Sequence, residues 1–169
     1  MPSTYEPIAT QTLSSTTGVV TFSSIPSTYT DLIAVVNPVT DTNGYGLKMR
    51  LNADSNNYYS MTYLTGNGSS AISARDSNVT SISIGYYSGV PLTLGTSTSI
   101  VHVMNYSNNT TYKSVLIRQS KADAEADVEA ALYRVTNAIT SVSFAAGGAF
   151  PSVNFLAGST FTLYGIKAA

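Results

Sequence analysis

Leu47-Lys48-Met49-Arg50-Leu51, then Asn52-Ala53-Asp54-Ser55-Asn56-Asn57, then Tyr58-Tyr59-Ser60-Met61-Thr62-Tyr63-Leu64, closed by Thr65-Gly66-Asn67-Gly68-Ser69-Ser70, is the stretch that decides the fold class. Its first five residues alternate apolar and basic side chains, the period-2 mark of a half-buried strand. A cluster of turn formers follows, whose side chains can bond the local backbone. The tyrosine-rich segment after it suits a pleated surface and reads as a return strand. Two glycines, free to take positive φ, end it. The spacing predicts a β-hairpin, and nothing in it resembles a catalytic constellation.

The same pattern recurs on both sides. Tyr5 to Leu13 reads as an edge strand, because Pro7 cannot donate to a ladder. Val19 to Phe22 is a short strand, and Asp31 to Asn37 a strand buried on both faces at the centre of a sheet. Asn43-Gly44 marks a turn. Downstream, strands are expected at Ala71–Arg75, Val79–Tyr87, Ser97–Tyr106, Tyr112–Gln119, Ile139–Phe144 and Ser159–Ile166, with a connection over Gly89–Thr96. Lys121 to Ala131 sets two signals against each other. Ala and Glu favour helix, but Asp123, Glu125, Asp127 and Glu129 alternate strictly with small apolar residues, which favours an extended segment running into a strand at Ala131–Val135. About ten short strands with turn signals every ~8–12 residues predict a single all-β domain, an antiparallel β-sandwich of jelly-roll-like type.

Composition narrows the function classes. The 169 residues are enough to bury roughly 70% of the unfolded surface in one core. Charged residues are 10% of the chain, against about 25% in an ordinary domain. Polarity comes instead from 46 Ser and Thr and from 12 Asn, which suits a surface that meets other protein, since few charges must be desolvated. The basic residues are scattered and the net charge is −1, so no phosphate-neutralising stripe exists and nucleic acid is not an expected partner. There is no cysteine and hence no disulfide framework or thiolate metal site. No run approaches the ~20 apolar residues of a membrane span. The first residues lack the pattern of a secretory signal, so synthesis and folding in a cytosol are expected.

Candidate chemistry is thin. His102, the only histidine, sits mid-strand in an apolar stretch, and no Gly-x-Ser-x-Gly elbow accompanies it, so a partly buried structural histidine is expected. Asn52, Asp54 and Asn56 alternate like the start of a calcium loop, but its sixth position is Asn57 and its twelfth Tyr63, where glycine and glutamate are required. Asx side chains capping their own turn are the expectation there. No cofactor motif is found, and no pair of acids stands out as glycosidase carboxylates. The acids from Asp123 to Glu129 read as a metal site, as a contact face for a basic partner or, the favoured reading, as a charge-protected edge strand. Tyr58, Tyr59, Tyr86 and Tyr87 read as a stacking platform for a sugar or a protein partner or, more commonly for strand-end tyrosines, as core and rim packing, and Tyr58 and Tyr59 are the pair expected at a protein contact.

Three segments carry a resemblance. Tyr5-Glu6-Pro7-Ile8-Ala9-Thr10 with Val20 to Leu32, the Leu51–Ser60 loop followed by Gly66-Asn67-Gly68-Ser69-Ser70, and Leu156 to Lys167 are together similar to a family of small virion structural proteins of tailed bacteriophages, common in marine and cyanobacterial phages. Tyr58-Tyr59 stands where that family has a single Tyr. The resemblance implies a β-sandwich assembled into a virus particle, as a head decoration (cement) protein or a tail or fibre component. It implies a homotrimer and, for a decoration protein, the major capsid protein as partner. The expectation is therefore a non-enzymatic capsid decoration protein of the virion, without cofactor or metal. The alternative is a tail-associated receptor- or glycan-binding module. Tyr58, Tyr59, Asp123, Glu125, Asp127 and Glu129 are the expected interface residues.

Overall fold

The computed structural model describes residues 4–42, 46–85, 97–121 and 124–167. Among them are twelve strands and no helix: β1 (Tyr5–Thr12), β2 (Val19–Phe22), β3 (Asp31–Asn37), β4 (Leu47–Leu51), β5 (Tyr59–Gly66), β6 (Ala71–Val79), β7 (Ile82–Ile84), β8 (Ser97–Val103), β9 (Lys113–Lys121), β10 (Glu125–Tyr133), β11 (Val142–Ala146) and β12 (Thr160–Ile166). The chain is an all-β sandwich. Every pairing is antiparallel, in an eight-stranded sheet of order β1-β12-β3-β8-β9-β10-β5-β6 and a four-stranded sheet of order β2-β11-β4-β7.

The connectivity is that of a jelly roll carrying two additions. If the paired strands β5/β6 and β9/β10 are set aside and the other eight numbered in chain order, the sheets read 1-8-3-6 and 2-7-4-5. Two Greek keys folded over one another give this interleaving. The two additional hairpins extend the same flank of the larger sheet, beyond β8. The interior between the sheets is filled from both, with Leu47, Met49 and Leu51 of β4 and Phe144 of β11 meeting Leu32, Val101 and Phe161 of the larger sheet. Phe161 packs at 5.0 Å from Phe155 and 5.9 Å from Phe144.

The opening stretch does contain two strands, but they are not paired with each other. β4 pairs with β11 and β7, and β5 with β10 and β6, so residues 52–58 form a corner between the sheets rather than a hairpin loop. Asn52 and Ala53 both adopt positive φ (53° and 54°). Asn52 is tied to the segment before β11, donating to the Ala138 and Ser141 carbonyls and accepting from the Thr140 N–H. Crossing over lets β4 and β5 each lay an apolar face against the same interior. A period-2 pattern flanking a polar loop reads the same in either arrangement. The true hairpin is β5–β6, closed by Asn67, whose side-chain carbonyl accepts from the Ser69 and Ser70 N–H groups.

β1 is the expected edge strand, with its register shift beside Pro7. β3 lies inside the larger sheet. Other boundaries moved. Asp76-Ser77-Asn78 does not end β6; the turn-forming residues are absorbed by a register shift opposite Tyr59/Ser60 and by positive φ at Asn78. The strand expected over Val79–Tyr87 is instead the end of β6 and the three-residue β7. Its residues 86–87, the Asn43-Gly44 turn and the Gly89–Thr96 connection lie outside the described residues.

Candidate protein-contact face and the placement of the expected site residues

Alternation along each strand leaves the larger sheet with an outward face that no described element covers. Its outward rows run through Ile33 and Val35 of β3, Ile100 of β8, Leu116 and Arg118 of β9, Ala126, Val128 and Ala130 of β10, and Thr62 and Leu64 of β5. Leu64 is 61% exposed, Val128 51% and Leu116 40%. Leu64 and Val128 are direct cross-strand neighbours, as are Leu116 and Ala130. A shallow groove of about 500 Å³ runs beside Leu64, Ala126 and Val128. The carboxylate, imidazole and guanidinium groups on the face are those of Asp31, His102, Arg118 and Arg75, joined by the phenols of Tyr5 and Tyr164, and His102 Nε2 lies 2.9 Å from Asp31 Oδ2. His102 is thus the partly buried strand histidine the sequence predicts. This wall offers apolar and hydroxyl contacts over several strands at little cost in charge desolvation.

The two expected tyrosines part company. Tyr58 is 43% exposed, whereas Tyr59 is fully buried. Tyr59 stacks on Tyr133 at 4.8 Å, and its hydroxyl accepts from the Leu51 N–H at 3.1 Å while lying 3.1 Å from the Asp54 carbonyl. Tyr59 is therefore a core residue, not a contact residue. Inward parity on β5, shared with Met61 and Tyr63, is the cause.

The acidic run is corrected more sharply. Periodicity prevails over helix propensity and β10 is extended, but it is an interior strand between β9 and β5, not an edge. Its acids point inward. Glu125 is 5% exposed, Asp127 2% and Glu129 1%, while Ala126, Val128 and Ala130 face outward. These acids cannot present a surface to a basic partner. Asp123 lies outside the described residues. The inward side at this end of the sheet is a polar pocket in which Glu125 sits opposite Lys121 and Glu129 Oε1 accepts from the Gly85 N–H at 2.6 Å. Burial, reinforced by Asp127 and Glu125 and opposed by that N–H, pushes the Glu129 carboxyl up to about 8.

The Asn52–Asn57 loop caps itself. Asp54 Oδ1 accepts from the Asn56 N–H at 2.8 Å, and Asp54 Oδ2 accepts from the Tyr133 hydroxyl at 2.7 Å. Among the described residues no group of three or more His, Asp or Glu is placed to hold a metal ion, and no helix is long and apolar enough to cross a membrane.

Sequence reasoning missed a fully buried lysine and an interior cleft. Lys113 donates to the Thr111 and Thr136 carbonyls. It shares parity with the inward Val115 and Ile117, and that parity was the available signal. The cleft gathers Lys48, Asp76 and Glu129 from three different strands, a convergence no linear spacing reveals. No protein-family model matches the chain, and no curated protein matches it.

Proposed function

We propose that this chain is a structural protein of a tailed-phage virion: a decoration protein that binds the outside of the head as a homotrimer and bridges neighbouring copies of the major capsid protein. The observation that carries the proposal is the uncovered outward face, where Leu64, Val128 and Leu116 stand exposed on adjacent strands of a lightly charged sheet. Contiguous exposed apolar surface marks a protein contact. The jelly roll is a fold of viral shell proteins, among other uses, and supports the reading by analogy only. A protein that binds only the assembled lattice stabilises it by mass action, in proportion to occupancy. Synthesis in the host cytoplasm and residence on the capsid surface follow from the same reading.

The test is direct. Fluorescently labelled protein is mixed with heads that lack it, with isolated tails and with host cells. Saturable binding to heads alone is expected, together with a higher temperature of head rupture. Binding to tails or cells with none to heads would replace the decoration role by that of a tail-borne receptor- or glycan-binding module. The cleft beside β7 is the feature that favours this second reading.

A further inference from the structure

Between the β5–β6 hairpin and the edge strand β7 lies a cavity of about 280 Å³. That is room for about nine waters at ~30 Å³ each, the size of a single sugar ring. Its polar lining comes from separate strands: Lys48 from β4, Asp76 from β6, Ser83 from β7 and Glu129 from β10. Met61 and the Tyr63 ring supply apolar wall, while the Tyr63 hydroxyl donates to Asp76 Oδ2 at 3.3 Å and leaves Asp76 Oδ1 to a ligand. Glu129 is 1% exposed, and its Oε2 makes no hydrogen bond among the described residues, although Oε1 is held by Gly85. Lys48 Nζ is held at 3.0 Å from Ser83 Oγ, which engages one of its three N–H donors. At Gly148 the wall is bare, and a Cβ there would meet nothing within 4 Å.

We propose that this cleft is a binding site for a small polyhydroxylated ligand, of which a monosaccharide unit is the fitting class. The chemistry selects hydroxyls. Lys48 requires an acceptor, Asp76 offers acceptors, and a carboxyl such as Glu129 accepts when ionised and donates when protonated. A hydroxyl is donor and acceptor at a single atom, so neighbouring hydroxyls on one ring satisfy all three groups whatever the state of Glu129. A simple ammonium ligand would bring a second cation beside Lys48. A divalent ion would need more oxygen ligands than the two carboxylates supply. Met61 and Tyr63 suit the C–H face of a sugar ring. The site does not rest on the decoration reading, and it supplies the glycan-binding alternative with its ligand class.

The experiment is a titration of the intact protein, followed by amide NMR, with glucose, galactose, mannose and N-acetylglucosamine, and separately with methylammonium chloride and calcium chloride. At least one sugar is expected to give saturable shifts at Ser83, Gly85 and Gly148. Asp76→Ala removes the carboxylate acceptors and Lys48→Met removes the donor; each is expected to weaken binding by about tenfold or more, or about 1.4 kcal/mol, in protein whose remaining spectrum is unchanged. Asp76→Ala, on the edge strand β6, keeps the test valid if Lys48→Met does not fold. Absence of saturable shifts with all four sugars overturns the proposal. So do sugar shifts that survive Asp76→Ala, and so does a response of these amides to methylammonium or calcium alone.

Discussion

At the scale of single residues, the two adjacent tyrosines show how one step along a strand changes a side chain's role. Tyr59 is buried, stacked on Tyr133 and bonded to the β4 backbone, while Tyr58 faces out. Tyr59→Ala is expected to cost about 3–5 kcal/mol, as large buried aromatics do. Tyr59→Phe leaves the buried Leu51 N–H without its acceptor and should cost about 1–3 kcal/mol. Tyr58→Ala should fall within about 0.5 kcal/mol of wild type. Urea unfolding of the three variants checks the order, and equal losses at both positions would contradict the assignment. Glu129 makes a second prediction. Its carboxyl titrates near its ordinary 4.5 in the unfolded chain and at about 8 in the folded protein, because burial, Asp127 and Glu125 outweigh the Gly85 N–H. Between those values the folded state holds the extra proton. Stability therefore falls as pH rises from 4.5 towards 8, on the order of 1.4 kcal/mol per unit for this one group, and levels off above. Glu129→Gln should remove that slope, so unfolding midpoints of the two proteins, measured from pH 5 to 9, should diverge in favour of the variant at the alkaline end. Parallel profiles would mean that Glu129 is not the titrating group.

At the scale of elements, Gly165 shows why β12 departs from simple propensity. A glycine inside a strand ordinarily weakens it, yet the Tyr29 ring lies against this one, and a Cβ would clash with it. Tyr29 also reaches Glu6 through its hydroxyl, so the ring has several ties to give up. Gly165→Val, favourable by β propensity, is expected to destabilise by about 1–3 kcal/mol through overpacking, read as a lower thermal midpoint. No change would show that Tyr29 is not held on the strand. Elements of this kind mark the limit of what the sequence makes legible. Period-2 alternation and, for β3, a continuous apolar run located β1, β2, β3, β4, β9 and β12 closely, because each has at least one face in the core. It also overruled helix propensity in β10. What alternation cannot supply is which face is inward when both are unusual. On β10 the small apolar face is outside and the acids are within, against every composition rule, because the Gly85 backbone after β7 sits over that side of the strand. Nor can it tell a hairpin from a corner between sheets, and so it misjudged the β4–β5 connection. The site suffers most, since Lys48, Asp76 and Glu129 meet only through the fold.

At the scale of the whole molecule, the two inserted hairpins are what distinguish this jelly roll. The larger sheet grows from four strands to eight, while its partner sheet stays at four. Eight strands at ~4.8 Å spacing and seven to nine residues at ~3.3 Å give an outward face of roughly 900 Å². A standard interface takes about 800 Å² from each partner, so this one face is large enough for a stable contact. The most exposed apolar residues, Leu64, Val128 and Leu116, lie on β5, β10 and β9, within the added flank. They are therefore not needed to close the sandwich, whose core lies on the opposite side of those strands. If the protein is the proposed trimer and this flank is its contact, charge placed there should separate the subunits without unfolding them. Leu64→Asp combined with Val128→Asp is expected to turn a trimer into a monomer, measured by light scattering on a sizing column, with a circular dichroism spectrum like that of wild type. The two positions are cross-strand neighbours, so the introduced carboxylates also repel each other, and the paired change should cost the monomer no more than about 1 kcal/mol. A wild-type monomer at high concentration would remove the trimer from the proposal. A trimer that survives both aspartates would move its interface away from the added flank and leave that surface for the capsid, where the same double variant should then fail to bind heads.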